Sequence, residues 1–105
     1  MAKLPSSFRA RIRTARSFRG QFAALPGFVQ EAVRAACVLF DRDPAHPSLR
    51  HHRLEDVKKS KHQADSFSVW PTMQYRAIYV VQNGSNVWYW IGTHADYKKF
   101  TGSKR

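Results

Sequence analysis

The chain has 105 residues and carries eighteen Lys and Arg against seven Asp and Glu, a formal net charge of +11. With 43% hydrophobic and 13% aromatic residues and a single cysteine, it is neither a disordered polyelectrolyte nor a disulfide scaffold. The length fits one domain spanning residues 1–105, able to bury a core without metal or disulfides.

A field of this sign attracts polyanions: nucleic acid, the ribosome, acidic lipid or an acidic protein. The stretch from Lys3 to Arg19 holds six positive residues and no acid. It lacks the clean apolar helical face of a membrane-surface segment, so nucleic acid ranks above lipid. No run approaches the ~20 apolar residues of a membrane span, and the expectation is a cytoplasmic protein with no membrane partner. Cys37 falls in a helical apolar pattern and reads as a small buried hydrophobe. No zinc-type Cys/His spacing occurs, and neither a metal nor a cofactor is expected.

In chain order, Phe8, Ala10 and Ile12 alternate with Arg9, Arg11 and Arg13, which predicts a first strand with one wet face. Thr14 to Ala24 reads as a short helix with Phe18, Phe22 and Leu25 inward, broken at Leu25-Pro26-Gly27. Phe28, Val29, Ala32, Val33, Ala36, Cys37, Leu39 and Phe40 form a helical stripe that Asp43-Pro44 ends. His46 lies between prolines and is expected to be structural. Leu49 to Leu54 is a candidate second strand, Lys58 to Gln63 a basic loop, and Phe67 to Trp70 a third strand stopped by Pro71. Met73–Val81 and Val87–Thr93 are the fourth and fifth strands, joined by an Asn83-Gly84 turn. Ala95–Phe100 reads as a short terminal helix. The expected class is α+β: two N-terminal helices on one face of a mainly antiparallel sheet of four or five strands.

The segment from Met73 to Tyr97 carries the chemistry. A lone arginine, Arg76, stands on an apolar strand, and the next strand runs out into His94, Asp96 and Tyr97. An arginine, a histidine and a phenol can hold a phosphate and move a proton. Each has a plainer reading: Arg76 as the partner of Asp65 or Asp96, His94 as a helix cap, Asp96 as a surface acid rather than an orienter of His94. His51 and His52 point to opposite faces of a strand, so only one can face a common site. Trp88 and Trp90, two apart, are expected on one face, as core or as a stacking surface. With a two-residue turn at Asn83-Gly84, Arg76 pairs with Ile91 and His94 projects to the other face; a bulge at Gly92 or an odd-length loop restores a shared face.

The successive segments DPAHPSLRHHRLE, FSV, YRAIYVV and WYWIGTHADY, between about Phe22 and Tyr97, resemble the RelE/ParE superfamily of toxins from bacterial type II toxin-antitoxin modules. The resemblance implies a small antiparallel sheet with two N-terminal helices, and a cognate antitoxin protein as partner. RelE-like members cleave mRNA in the ribosomal A site; ParE-like members poison DNA gyrase and have no nuclease site. For the first group the resemblance implies Arg76, His94 and Tyr97 as catalytic residues. It also implies RNA binding by Arg50, His52, Lys58, Lys59, Lys61 and His62, with mRNA and the ribosome as partners. The chemistry suits these types. A ribose 2′-oxygen loses a proton and attacks phosphorus, the 5′-oxygen gains one, and cations stabilise the charge between, with no metal required. Many relatives place a basic residue where this chain has Trp70 before Pro71. A non-catalytic basic RNA-binding module is the third expectation.

Overall fold

Asn83 and Gly84 both adopt left-handed backbone angles, φ 50° and 77°, the geometry of a type I′ two-residue hairpin turn. Around this turn the computed structural model, which describes residues 11–102, builds a five-stranded mixed sheet and three helices. The chain runs β1 (Arg11–Thr14), α1 (Arg16–Ala23), α2 (Gly27–Arg42), a 3₁₀ turn (Pro47–Leu49), β2 (His52–Arg53), β3 (Phe67–Val69), β4 (Tyr75–Gln82), β5 (Ser85–Thr93) and α3 (His94–Thr101). The strand order is β1-β5-β4-β3-β2. All neighbours are antiparallel except β1, which lies parallel to β5. The expected strand from Phe8 falls partly outside the described residues.

The antiparallel register of the hairpin slips once. Val80 faces Val87 and Tyr79 faces Trp88, but Ile78 faces Trp90, leaving Tyr89 as an extra residue. This bulge corrects two sequence expectations. Arg76 pairs with Gly92, not Ile91. Trp88 and Trp90 do not share a face: Trp88 packs with the helices, and Trp90 packs in a second cluster with Leu54, Ile78, Val80, Tyr89 and Tyr97. The extra residue turns the alternation over between them.

One layer is the core between α2 and the sheet. Val29, Val33, Ala36 and Phe40 meet Ile12, Val69, Ala77, Tyr79, Trp88 and Ile91. Trp88 is fully buried, with Phe18 and Phe40 edge-on at 6.0 and 5.6 Å. Phe28 departs from the predicted stripe. It lies in the first turn of α2 beside the inward Val29 and is 77% exposed. The stripe therefore starts at Val29.

Helix α1 closes the edge of β5 beyond the end of β1. Ala15 N donates to Trp88 O (2.9 Å), Ser17 Oγ to Tyr89 O (2.6 Å), and Ile91 N donates to Gln21 Oε1 (2.9 Å). Side chains of a helix thus satisfy backbone groups that a further strand would otherwise take. Gln30 Nε2 donates to Phe22 O and Leu25 O and fixes the α1–α2 connection.

The predicted strand from Leu49 to Leu54 shrinks to His52–Arg53. Leu49 ends the 3₁₀ turn, capped by His46 Nδ1, which accepts from Ser48 N. Arg50 follows in the left-handed region, φ 44°. The chain straightens only after that turn.

Candidate functional site

The face of the sheet turned away from α2 carries α3 and the 54–66 loop, and the candidate residues gather at its edge around Trp70. The Arg76 guanidinium carbon lies 3.3 Å from the centroid of the Trp70 indole, and that of Arg50 lies 4.7 Å from it. The His94 ring is tilted 6.5 Å from the same indole and 6.4 Å from the Tyr97 ring. One tryptophan therefore joins Arg50, Arg76 and His94, which come from the turn before β2, from β4 and from the start of α3. Trp70 stands where the resemblance leads one to expect a basic residue. It is the centre of the cluster, and an aromatic between two strands that each carry an arginine was the available signal.

Local structure explains each position. Trp70 N donates to Leu49 O (2.7 Å), which brings the Arg50 turn against the end of β3. Pro71 then turns the chain, and Thr72 Oγ1 accepts from Gln74 N and Tyr75 N (both 3.1 Å) to shape the entry to β4. Helix α3 begins where Thr93 Oγ1 accepts from Asp96 N (3.2 Å) while His94 N donates to Gln74 O (3.0 Å). His94 is thus the first helical residue, held beside the same 72–74 turn.

Arg76 is 2% exposed. Its Nη1 donates to Met73 O and Tyr75 O (both 3.0 Å) and reaches Thr72 O at 3.5 Å; its Nε is buried without a hydrogen-bond partner. Burial lowers its pKa, Tyr97 opposes that shift and Arg50 adds to it; an arginine remains cationic through such shifts. The expected pairing with Asp65 or Asp96 does not occur. Asp65 pairs with Arg53 instead. Arg76 is a buried cation held by carbonyl dipoles and an indole face.

Other candidates divide by burial. Tyr97 is buried in the second cluster against Trp90 and Leu54, positioned by α3 rather than offered to solvent. His62 is buried too: Nδ1 lies 2.8 Å from Gln63 O and Nε2 3.1 Å from Glu55 O. Both ring nitrogens lie within hydrogen-bond distance of loop carbonyls, which ties the imidazole to the loop backbone. The loop is further tied down where Gln63 N donates to Tyr89 Oη (3.0 Å), Ser66 Oγ lies 2.6 Å from it, and Lys61 N donates to Phe100 O (2.7 Å). Lys58, Lys59 and Lys61 stay exposed on this anchored loop. His52 is exposed, its Nδ1 2.7 Å from Arg50 O.

His51 takes the opposite face, as its parity requires. Its Nε2 lies 2.6 Å from Tyr79 Oη and its ring packs on Phe40 and Phe67. Burial lowers its pKa below the ordinary value, and burial pushes Tyr79 up to about 12. A groove of about 450 Å³ opens between the end of α1 and α3, floored by Tyr75 and Trp90 and rimmed by Lys61 and Lys99. None of Arg50, Trp70, Arg76 and His94 lines it.

The fold is similar to that of several solved structures. RelE in the archaeal RelE-RelB complex from Pyrococcus horikoshii matches with a TM-score of 0.61 over 80% of this chain and 93% of that one, at 14% identity. The chain has the RelE fold. YafQ from Escherichia coli matches at 0.58 over 84% and 97%, with 12% identity. A copper-bound mutant toxin from Helicobacter pylori matches at 0.57 over 83% and 97%, with 16% identity. No protein-family model matches the sequence, and no curated protein sequence matches it significantly. Against the RelE fold the sequence expectation of two helices and a mainly antiparallel sheet is right in outline. The parallel β1 completes it, and the terminal helix expected over Ala95–Phe100 is α3, His94–Thr101. No group of three or more His, Cys, Asp or Glu suited to a metal ion occurs among the described residues.

Proposed function

We propose that this protein is the toxin of a type II toxin-antitoxin module and acts as a metal-independent, ribosome-dependent endoribonuclease on mRNA. The observation that carries this reading is the convergence of Arg50, Arg76 and His94 on one indole at the edge of the sheet in a RelE fold. His94 is the general acid or base at the ribose or the leaving oxygen. Arg76, buried and fixed, supplies preorganised positive potential to the phosphate as charge grows in the transition state. Tyr97, buried with its ring 6.4 Å from that of His94, helps to position the imidazole. Arg50, His52 and the exposed Lys58, Lys59 and Lys61 draw the RNA backbone to this face.

The partner follows from the same fold and from charge. One of the similar structures is a complex of RelE with RelB. With a net charge of +11, this chain fits an antitoxin with an acidic binding segment that orders on contact. The outer face of α2, where Phe28 and Val38 are exposed, suits such a segment.

Incubation with translating ribosomes, with new mRNA ends mapped, tests the reading. Cuts confined to translated message support it. Inhibition of gyrase supercoiling with no RNA cuts replaces it with the ParE-like activity, and RNA binding without either leaves a basic binding module.

A further inference from the structure

We infer that Trp70 is a stacking platform for one unpaired base of the RNA, and that Arg50 is the cation the base displaces. This rests on the RNA reading and adds a residue that the chemistry above does not use. Two guanidinium groups share this indole, but unequally. Arg76 is 2% exposed, 3.3 Å from the ring centroid and bonded to three carbonyls, so it stays. Arg50 is exposed, 4.7 Å from the centroid, and its side chain has no hydrogen-bond or ion-pair partner among the described residues. The movable cation is the exposed one, and the fixed one is buried against the ring.

A nucleotide matches this arrangement at both ends. Its base offers a π face to the indole in place of the Arg50 guanidinium, and its phosphate gives the released guanidinium a bidentate partner. The indole is half-buried at the turn into Pro71, and Trp70 N is bonded to Leu49 O, so the platform is preorganised. His94, 6.5 Å from the same ring, is within reach of a nucleotide stacked there. Double-stranded RNA offers no free base face, so the ligand is a single-stranded segment.

The test compares binding of a short single-stranded oligoribonucleotide with binding of an abasic ribose-phosphate oligomer of equal length. Stacking contributes roughly 5- to 150-fold in affinity per base. Wild-type protein is expected to prefer the RNA by a factor in that range. Trp70→Ala should lose the preference and bind both as the wild type binds the abasic oligomer. Trp70→Tyr should keep most of the preference, and it covers the case in which Trp70→Ala does not fold. Trp88 and Trp90 are both buried, so RNA, but not the abasic oligomer, should quench a tryptophan signal that Trp70→Tyr lacks. A preference unchanged in Trp70→Ala, or equal losses on both ligands, overturns the platform and leaves the RNA reading standing. Wild-type protein that binds neither ligand overturns the RNA reading itself.

Discussion

Gly92 lies beneath the ring of Trp90: a Cβ on Gly92 would sit 2.7 and 2.9 Å from two of its ring carbons. Gly92 is also the cross-strand neighbour of Arg76. The indole is stacked in turn on Phe100 at 5.0 Å, so it cannot yield without moving α3. Gly92→Ala should therefore destabilise by about 1–3 kcal/mol, the usual cost of overpacking. At roughly 4–8 °C per kcal/mol for a domain of this size, the melting temperature should fall clearly. Gly20→Ala is the control, because nothing lies within 4 Å of its Cβ position. Equal melting temperatures for the two variants would show that the Trp90 ring is not held there.

Much of the fold is legible in the sequence because its signals are local. The Asn83-Gly84 turn, the Pro26-Gly27 break and the Asp43-Pro44 stop are each a backbone preference written in one or two residues. What was not legible depended on a single inserted residue. The Tyr89 bulge has no local signature, yet it reverses the faces of Trp88 and Trp90 and moves the partner of Arg76 by one position. The site was legible as a set of residue types but not as an arrangement. His62 looks like a ligand-facing histidine in a basic loop until its two ring nitrogens are found on Glu55 O and Gln63 O. Trp70 looks like a missing cation until two cations are found against it.

His51 gives the protein an acid-sensitive core. Burial holds its folded pKa below the ordinary 6.5. The unfolded chain therefore takes up the proton first as pH falls. Stability is full above about pH 6.5, declines as pH drops toward the lowered folded pKa, and changes no further from this group below it. The melting temperature should fall between pH 7.5 and pH 5, and His51→Gln should flatten part of that slope while keeping a polar partner near Tyr79 Oη. An unchanged slope in the variant would assign the acid sensitivity to other histidines.

Lys58, Lys59 and Lys61 are exposed on a loop whose backbone is fixed by His62, Tyr89 and Phe100. Their removal should cost little stability, since none is an anchor of the loop through its side chain. It should instead weaken RNA binding and reduce its salt dependence. Each phosphate neutralised contributes about −0.7 to the slope of log K against log salt for a single strand. The triple alanine variant should thus lose up to about 2 from that slope, with its melting temperature near wild type. A slope equal to wild type would place the RNA on another part of the basic surface.

The proposed catalytic roles fall to Arg76 and His94, which differ in how their loss should appear. His94 is half-buried at the first position of α3, where the Thr93 side chain provides the cap. His94→Ala should leave the melting temperature close to wild type and slow cleavage by roughly 10²–10⁴-fold. Arg76 is a buried cation that also shapes the 72–75 turn through three carbonyls. Arg76→Ala should lower both stability and rate, the rate by about 10²–10³-fold, the usual loss for one preorganised donor. Arg76→Lys keeps the charge but loses the planar fork and its stack on Trp70, so it should restore stability and rate only in part. Melting temperature and mRNA cleavage in a translating extract, read on the same preparations, separate the two effects. Folded variants of both residues that cut at the wild-type rate would remove this cluster from the chemistry.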